Sequence, residues 1–161
     1  PEVVGELGGT AVRTKVGHSF IKQVMAETSA EFGGEHSAHS YFARNFNADS
    51  GLIASMMVMA EVGRSGTPLS AVRAPYERYS ASGEINTEVA DAPAVIERIS
   101  ELYASCGQDR LDGLTVDCGS WWFNLRPSNT EPLLRLNLEA QDRTACDDAV
   151  GRLLDQITNS N

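Results

Sequence analysis

Lysine is nearly absent from this sequence. Lys15 and Lys22 are the only two, and arginine supplies the rest of the 13 bases. Set against 22 acidic residues, these leave a formal net charge of −9. No segment gathers the bases into a stripe, so the chain repels a polyanion and nucleic acid is not an expected partner. Long apolar runs are also missing: none approaches the roughly 20 residues that a membrane-spanning helix needs, so no membrane partner is expected. The N-terminus has no charged segment leading into an apolar one, and nothing there points to export. Cysteine is scarce, and Cys106, Cys118 and Cys146 are odd in number and widely spaced. They fit neither a disulfide framework nor a zinc knuckle, and a reducing cytoplasm is the simplest reading. There is no internal repeat and no low-complexity tract. Finally, there is no initial Met: the chain begins at Pro1 in mid-pattern, which leads us to expect a piece of a longer protein.

The composition itself is that of a soluble globular protein, with 42% hydrophobic and 22% charged residues. A chain of 161 residues suits one domain or two small ones and can bury roughly 70% of its surface. Its clearest pattern lies at Leu133–Ala140, where Leu134, Leu136, Leu138 and Ala140 point one way and Arg135, Asn137 and Glu139 the other. That alternation predicts a half-buried strand. A second apolar run, Trp121–Leu125, precedes it. Between them lies Arg126-Pro127-Ser128-Asn129-Thr130-Glu131-Pro132, which the prolines and the Asn mark as a turn or short loop. The loop concentrates a guanidinium, two hydroxyls, an amide and backbone N–H groups. Such a set suits a phosphate, because Arg grips two oxygens in a fork while hydroxyls and amides take the others. Each charge-assisted bond contributes roughly 1.5–3 kcal/mol. The plainer alternative is a connection with Arg126 facing water and Ser and Thr capping their own backbone.

Taken in order, Pro1–Leu7 reads as the tail of a helix ended by Gly8-Gly9. Thr10–Thr14 is a short strand candidate. Phe20, Ile21, Val24 and Met25 then predict an amphipathic helix over about 18–28. A strand followed by a helix predicts a βα-layered domain. Asp49 or Ser50 can cap a helix running to about Gly63. It is apolar around most of its circumference and is expected to be buried, its methionines filling core. Pro68–Ala74 is a further short helix. The polar stretch 75–83 reads as a linker. Beyond it, Glu84–Ala90, Gly113–Cys118, Trp121–Leu125 and Leu133–Ala140 are strands. Helices begin at Asp91-Ala92-Pro93 and at Asp142. The fold class is therefore α/β, a truncated layered domain over 1–74, followed over 84–161 by α+β with a mostly antiparallel four-stranded sheet and two helices.

All three histidines, His18, His36 and His39, fall in the first quarter of the chain. The segment Gly33-Gly34-Glu35-His36-Ser37-Ala38-His39 opens on paired glycines, which permit close backbone approach, and continues almost wholly polar. A metal site is disfavoured, because the order is not His-Glu-x-x-His and a loop carries it. Glu35, Ser37 and His39 suit a polyhydroxyl ligand better, since adjacent sugar hydroxyls can each donate and accept. A polar surface loop is the alternative.

Three segments together resemble the α-D-phosphohexomutases, the phosphomannomutase/phosphoglucomutase family. They are Lys15-Val16-Gly17-His18-Ser19-Phe20-Ile21-Lys22, Gly34-Glu35-His36-Ser37-Ala38-His39 and the Arg126–Pro132 loop, and they keep the family's order and separation. The resemblance implies a four-domain enzyme that interconverts hexose 1-phosphate and 6-phosphate through an active-site phosphoserine. By position, it implies that Glu35 and Ser37 bind sugar hydroxyls. His39 and His18 would lie by the substrate, either one serving proton transfer. Arg126, Ser128, Asn129 and Thr130 would hold the non-reacting phosphate. The implied partner is a hexose phosphate, mannose or glucose 1- or 6-phosphate, together with N-terminal domains absent from this chain.

This sequence departs from the family at several points. Ala38 stands where the family usually has Gly. The phosphoserine loop of Thr-Ala-Ser-His-Asn-Pro type is absent, and so is the Asp-Gly-Asp-Gly-Asp-Arg magnesium loop. Mg2+ is thus expected in the full-length enzyme with no ligand from this chain, and the chain alone is expected to be inactive. Two other readings stand beside the leading one: a phosphoglucosamine mutase fragment and a non-catalytic phosphosugar-binding module.

Overall fold

The structure is a computed structural model that describes residues 1–128 and 131–158. Backbone contacts divide the chain into two units, Pro1–Glu77 and Arg78–Asn161.

The first unit opens with α1 (Glu2–Glu6), followed by Gly8 at a positive φ of 79°. The expected strand at Thr10–Thr14 does not form. Its one large apolar side chain, Val12, is 51% exposed, so pairing there would bury too little to fix the backbone. Helix α2 (His18–Thr28) follows as the apolar spacing predicts and buries Ile21 and Met25. Strands β1 (Phe32–Gly34), β2 (Ser40–Phe42) and β3 (Ala48–Asp49) pair as an antiparallel meander in the order β1-β2-β3. The strands of this unit thus form a small antiparallel sheet. Ile21, Met25 and Tyr41 make the core of this unit. Gly33 lies so close under α2 that a Cβ on it would sit 2.8 Å from Ile21 and 2.9 Å from Met25.

Helix α3 (Gly51–Ser65) starts where the cap predicts: Ser50 Oγ accepts the Ile53 N–H. The expectation that α3 is buried is overturned. It has no buried residue, and Leu52, Met57 and Met59 are 72%, 58% and 63% exposed. Apolar composition marks a helix that can be buried, but burial also needs a facing layer, and the cluster around Ile21, Met25 and Tyr41 does not extend to α3. The short α4 (Leu69–Arg73) follows.

The second unit is one antiparallel sheet with two helices. Its strands are β4 (Ser80–Ala81), β5 (Ile85–Glu88), β6 (Gly107–Asp109), β7 (Leu114–Asp117), β8 (Trp121–Pro127) and β9 (Leu133–Ala140). They run in the order β4-β9-β8-β7-β6, with β5 also paired to β9. Helices α5 (Ala92–Leu102) and α6 (Arg143–Thr158) complete it. The expected four strands become six because β4 and β6 are two and three residues long and mostly small or polar. Pairing with a neighbour makes them strands, and no alternation announces them. Asp91 caps α5 by accepting the Ala94 N–H at 3.0 Å.

The core packs the helices against one face of the sheet: Ile99 from α5, Leu153 and Cys146 from α6, Phe123 and Leu125 from β8, Leu134, Leu136 and Leu138 from β9. By the strand period of two, Trp122, Asn124 and Arg126 of β8 and Arg135, Asn137 and Glu139 of β9 lie on the opposite face. The β8–β9 register sets them directly across from one another, Trp122 to Glu139, Asn124 to Asn137 and Arg126 to Arg135. The reading of the cysteines also needs correction, since Cys106 and Cys118 form a disulfide. They are twelve residues apart, but the β6–β7 hairpin sets Gly107 opposite Asp117 and so brings the two flanking cysteines together. Cysteine usage therefore no longer argues for a reducing compartment. Among the described residues, no helix is long and apolar enough to cross a membrane.

Candidate functional site

The polar loop of the first unit is the turn between β1 and β2, running from Glu35 to His39. It is closed by the Glu35 N–H donating to the His39 carbonyl and the Ala38 N–H donating to the Glu35 carbonyl, both at 3.0 Å. Ala38 takes a φ of 69°, the left-handed region in which glycine is at ease and alanine is strained by roughly 1–2 kcal/mol. The residue type that departs from the family thus sits where the backbone most favours glycine.

Glu35 is the hub of this loop. One carboxylate oxygen accepts the Tyr41 hydroxyl at 2.5 Å and the other accepts the Ser37 hydroxyl at 3.2 Å. Tyr41 is buried beneath it, and burial together with the bond to Glu35 pushes its phenol up to about 12. Tyr41 therefore stays a donor at any physiological pH and holds Glu35 from below. This residue is absent from the sequence-based site, and the only signal for it was an aromatic two positions beyond His39. His39 Nδ1 lies 2.6 Å from Asp49 Oδ2, while Asp49 Oδ1 accepts the Ser40 N–H at 2.8 Å. The bond to Asp49 raises the His39 pKa above its ordinary value of 6.5, and the same bond lowers that of Asp49. The structure thus brings Glu35, Ser37 and His39 onto one loop. His18 stands exposed on the first turn of α2, and among the described residues no hydrogen bond joins it to that loop. His36 is exposed at the turn.

In the second unit Arg126 sits at the end of β8 with its side chain 23% exposed. Its guanidinium lies 3.8 Å from Glu84 and 3.8 Å from Asp112. Arg135, directly opposite on β9, lies 3.6 Å from the same Glu84. At these separations the carboxylates offset charge without closing short hydrogen bonds. Like charges facing each other across a strand pair are destabilising, and here two guanidinium groups share one carboxylate beside the loop. A dianion set between them would relieve the repulsion and take forked bonds. Arg135 is a candidate that sequence reasoning missed, because the alternation counts it only as a residue of the wet face. The signal lay in the register, which no single strand carries.

Gly113 secures this corner. Its φ is 73°, and a Cβ there would lie 2.3 Å from the Leu125 carbonyl oxygen and 3.0 Å from Arg126 Cα. Asn124 ties down the preceding turn by donating to the Asp112 carbonyl at 2.8 Å. The Ser128 N–H donates to the Leu133 carbonyl at 2.8 Å and closes the base of the loop. Asn129 and Thr130, the remaining expected phosphate contacts, lie outside the described residues. Two shallow cavities of about 270 and 310 Å³, one beside Arg98 and one beside Trp121, are lined by none of the expected site residues. Among the described residues, no group of three or more His, Cys, Asp or Glu could hold a metal ion.

Comparison with known proteins follows the same division. Residues 1–79 match the family model for phosphoglucomutase/phosphomannomutase, alpha/beta/alpha domain III, and residues 84–159 match that for the C-terminal domain. A phosphomannomutase of Methanocaldococcus jannaschii is 41% identical over 98% of this chain and 35% of its own length. The phosphohexose mutases of Xanthomonas campestris are 45% identical over 89% of the chain and 33% of theirs. A phosphoglucomutase/phosphomannomutase family protein of Burkholderia thailandensis superposes with a TM-score of 0.80 at 25% identity, covering 99% of this chain and 35% of that one. The chain thus spans about a third of the length of its relatives. With both domain models matched along nearly its whole length, the chain belongs to the phosphoglucomutase/phosphomannomutase family, of which it carries domain III and the C-terminal domain.

Proposed function

We propose that this chain is the sugar- and phosphate-holding part of a cytoplasmic phosphohexomutase that interconverts the 1- and 6-phosphates of mannose or glucose. The observation that carries the proposal is the consecutive match of both domains to enzymes named phosphomannomutase. Those names also favour mannose over glucosamine. In this reading Glu35 accepts sugar hydroxyl protons with the lone pairs left over by Tyr41 and Ser37. Ser37 and His39 contribute further bonds, and His39 or His18 moves the proton of the reacting hydroxyl. Arg126, with Ser128, Asn129 and Thr130, holds the phosphate that is not reacting, and Arg135 adds a second guanidinium.

A site that binds either phosphate in this way explains how one enzyme works on both ends of the sugar. A phosphoserine supplied from outside this chain gives its phosphoryl group to the free sugar hydroxyl, producing a bisphosphate. The sugar turns over, the newly added phosphate takes the Arg126 site, and the phosphoryl group that came with the substrate passes to the serine, regenerating the phosphoserine and freeing a hydroxyl. Magnesium, held by the same missing part, would offset charge on the moving phosphoryl group. The residues of this chain bind and orient the sugar phosphate, and one histidine moves the proton.

Calorimetric titration of mannose 1-phosphate into the 161-residue chain tests the binding role. Measurable affinity that falls at least tenfold in Arg126→Ala and in Arg135→Ala is the expected result, from roughly 1.5–3 kcal/mol per charge-assisted bond. Unchanged affinity in both variants would remove the phosphate assignment. In a coupled assay the chain alone should show no conversion of mannose 1-phosphate or glucose 1-phosphate, since its sequence contains neither the phosphoserine loop nor the aspartate-rich magnesium loop.

A further inference from the structure

Asp49 belongs to none of the motifs, yet it holds His39 in a specific way. It stands on β3, ten residues from His39, and the β2–β3 pairing that sets Tyr41 opposite Asp49 brings the two together. Both carboxylate oxygens are used: Oδ1 accepts the Ser40 N–H at 2.8 Å, and Oδ2 meets His39 Nδ1 at 2.6 Å. The next residue, Ser50, donates its N–H to the Ser40 carbonyl at 2.9 Å and caps α3. One backbone N–H thus holds the carboxylate, a second backbone bond holds the residue beside it, and the imidazole meets the remaining oxygen. His39 keeps 55% of its side chain exposed, so its engaged edge is Nδ1 and the ring nitrogen left for a ligand is Nε2.

We propose that Asp49 is a positioning residue that clamps His39 through Nδ1 and presents Nε2 to the sugar-phosphate bound by the Glu35–His39 loop. The ligand named here rests on the reading under Proposed function, whereas the clamp rests on geometry alone. Fixing one ring nitrogen decides the role of the other. With Nδ1–H given to Asp49, Nε2 donates when the ring is charged and accepts when it is neutral, without any rotation of the ring. The charged groups that face the pair favour the charged ring: Asp49 most, then Glu35 in the same loop, while Lys22 of α2 steadies the Asp49 carboxylate. His39 is thereby set as a donor to a sugar or phosphate oxygen, and it can return to acceptor once the proton has left.

The test is a 15N and 13C NMR titration of the histidine rings in the 161-residue chain, wild type, Asp49→Asn and Asp49→Glu. In the wild type His39 should titrate above a free imidazole and, once neutral, keep its proton on Nδ1. Asp49→Asn should lower that midpoint and move the neutral proton to Nε2, and Asp49→Glu should restore most of both. A wild-type His39 that titrates like free imidazole with its neutral proton on Nε2 overturns the proposal without any variant. So does an Asp49→Asn spectrum in which midpoint and tautomer are unchanged. Binding of mannose 1-phosphate, followed in the same samples, should weaken about tenfold at neutral pH in Asp49→Asn, the difference between a charged and a neutral hydrogen bond. If the wild type binds no sugar phosphate while His39 titrates as expected, the clamp stands and the sugar-phosphate reading fails.

Discussion

At the scale of single residues, the candidate site in each unit obtains its chemistry from neighbours of modest appearance. Ala38 closes the sugar loop at a φ of 69°. Replacing it by glycine removes the strain of a left-handed alanine, roughly 1–2 kcal/mol, but loosens the unfolded chain by about 0.4–1 kcal/mol. Ala38→Gly should therefore stabilise the first unit by up to about 1.5 kcal/mol, read from urea unfolding, and an Ala38→Val variant should destabilise it. The His39–Asp49 pair makes stability depend on pH in a defined direction. The raised pKa of His39 gives a contribution that is complete below 6.5 and fades as pH rises through the folded midpoint. The lowered pKa of Asp49 gives one that is complete above 3.8 and fades as pH falls through its folded midpoint. The difference in melting temperature between wild type and Asp49→Asn should be largest between about pH 4 and 6.5 and shrink on the alkaline side. A difference that does not shrink as the pH rises above 6.5 through the His39 midpoint would contradict the pairing.

At the scale of elements, the register between strands decides more than any strand's own pattern. Arg126 and Arg135 become a guanidinium pair only because β8 and β9 align them, and Gly113 holds β7 against the same point of β8. A Cβ at 2.3 Å from a carbonyl oxygen has no soft side chain to displace. Gly113→Ala should cost at least about 2 kcal/mol through overpacking and a strained φ, seen as a lowered unfolding midpoint. It should also weaken phosphate binding by shifting Arg126. Helix starts, by contrast, were legible in the sequence: Asp91 and Ser50 cap α5 and α3 through their own side chains, and Ser50→Ala should cost about 1 kcal/mol. Burial of α3 was not legible. Its apolar residues predict a buried helix, and the structure leaves Leu52, Met57 and Met59 exposed, because hydrophobicity states what an element can bury and not what covers it.

At the scale of the whole molecule, the two units differ in how much holds them. Ile21, Met25 and Tyr41 form the core of the first, whereas α5, α6 and the long strands of the second enclose a continuous apolar cluster. Amide exchange should accordingly be slowest in β8 and β9 and faster throughout β1–β3, since protection follows buried apolar contact. Equal protection in the two would show that the small core is reinforced by something its packing does not reveal. The sequence by itself determined the helices, the long alternating strand and the motifs that carry the family, because local periodicity, caps and turn chemistry write these in neighbouring residues. Only tertiary structure decided the six-stranded sheet, the Cys106–Cys118 bridge, the support of Glu35 by Tyr41, the Asp49 clamp on His39 and the pairing of Arg126 with Arg135. Each of these joins residues brought together by backbone pairing or turns, and a single strand's pattern does not say which residue will face it across the sheet.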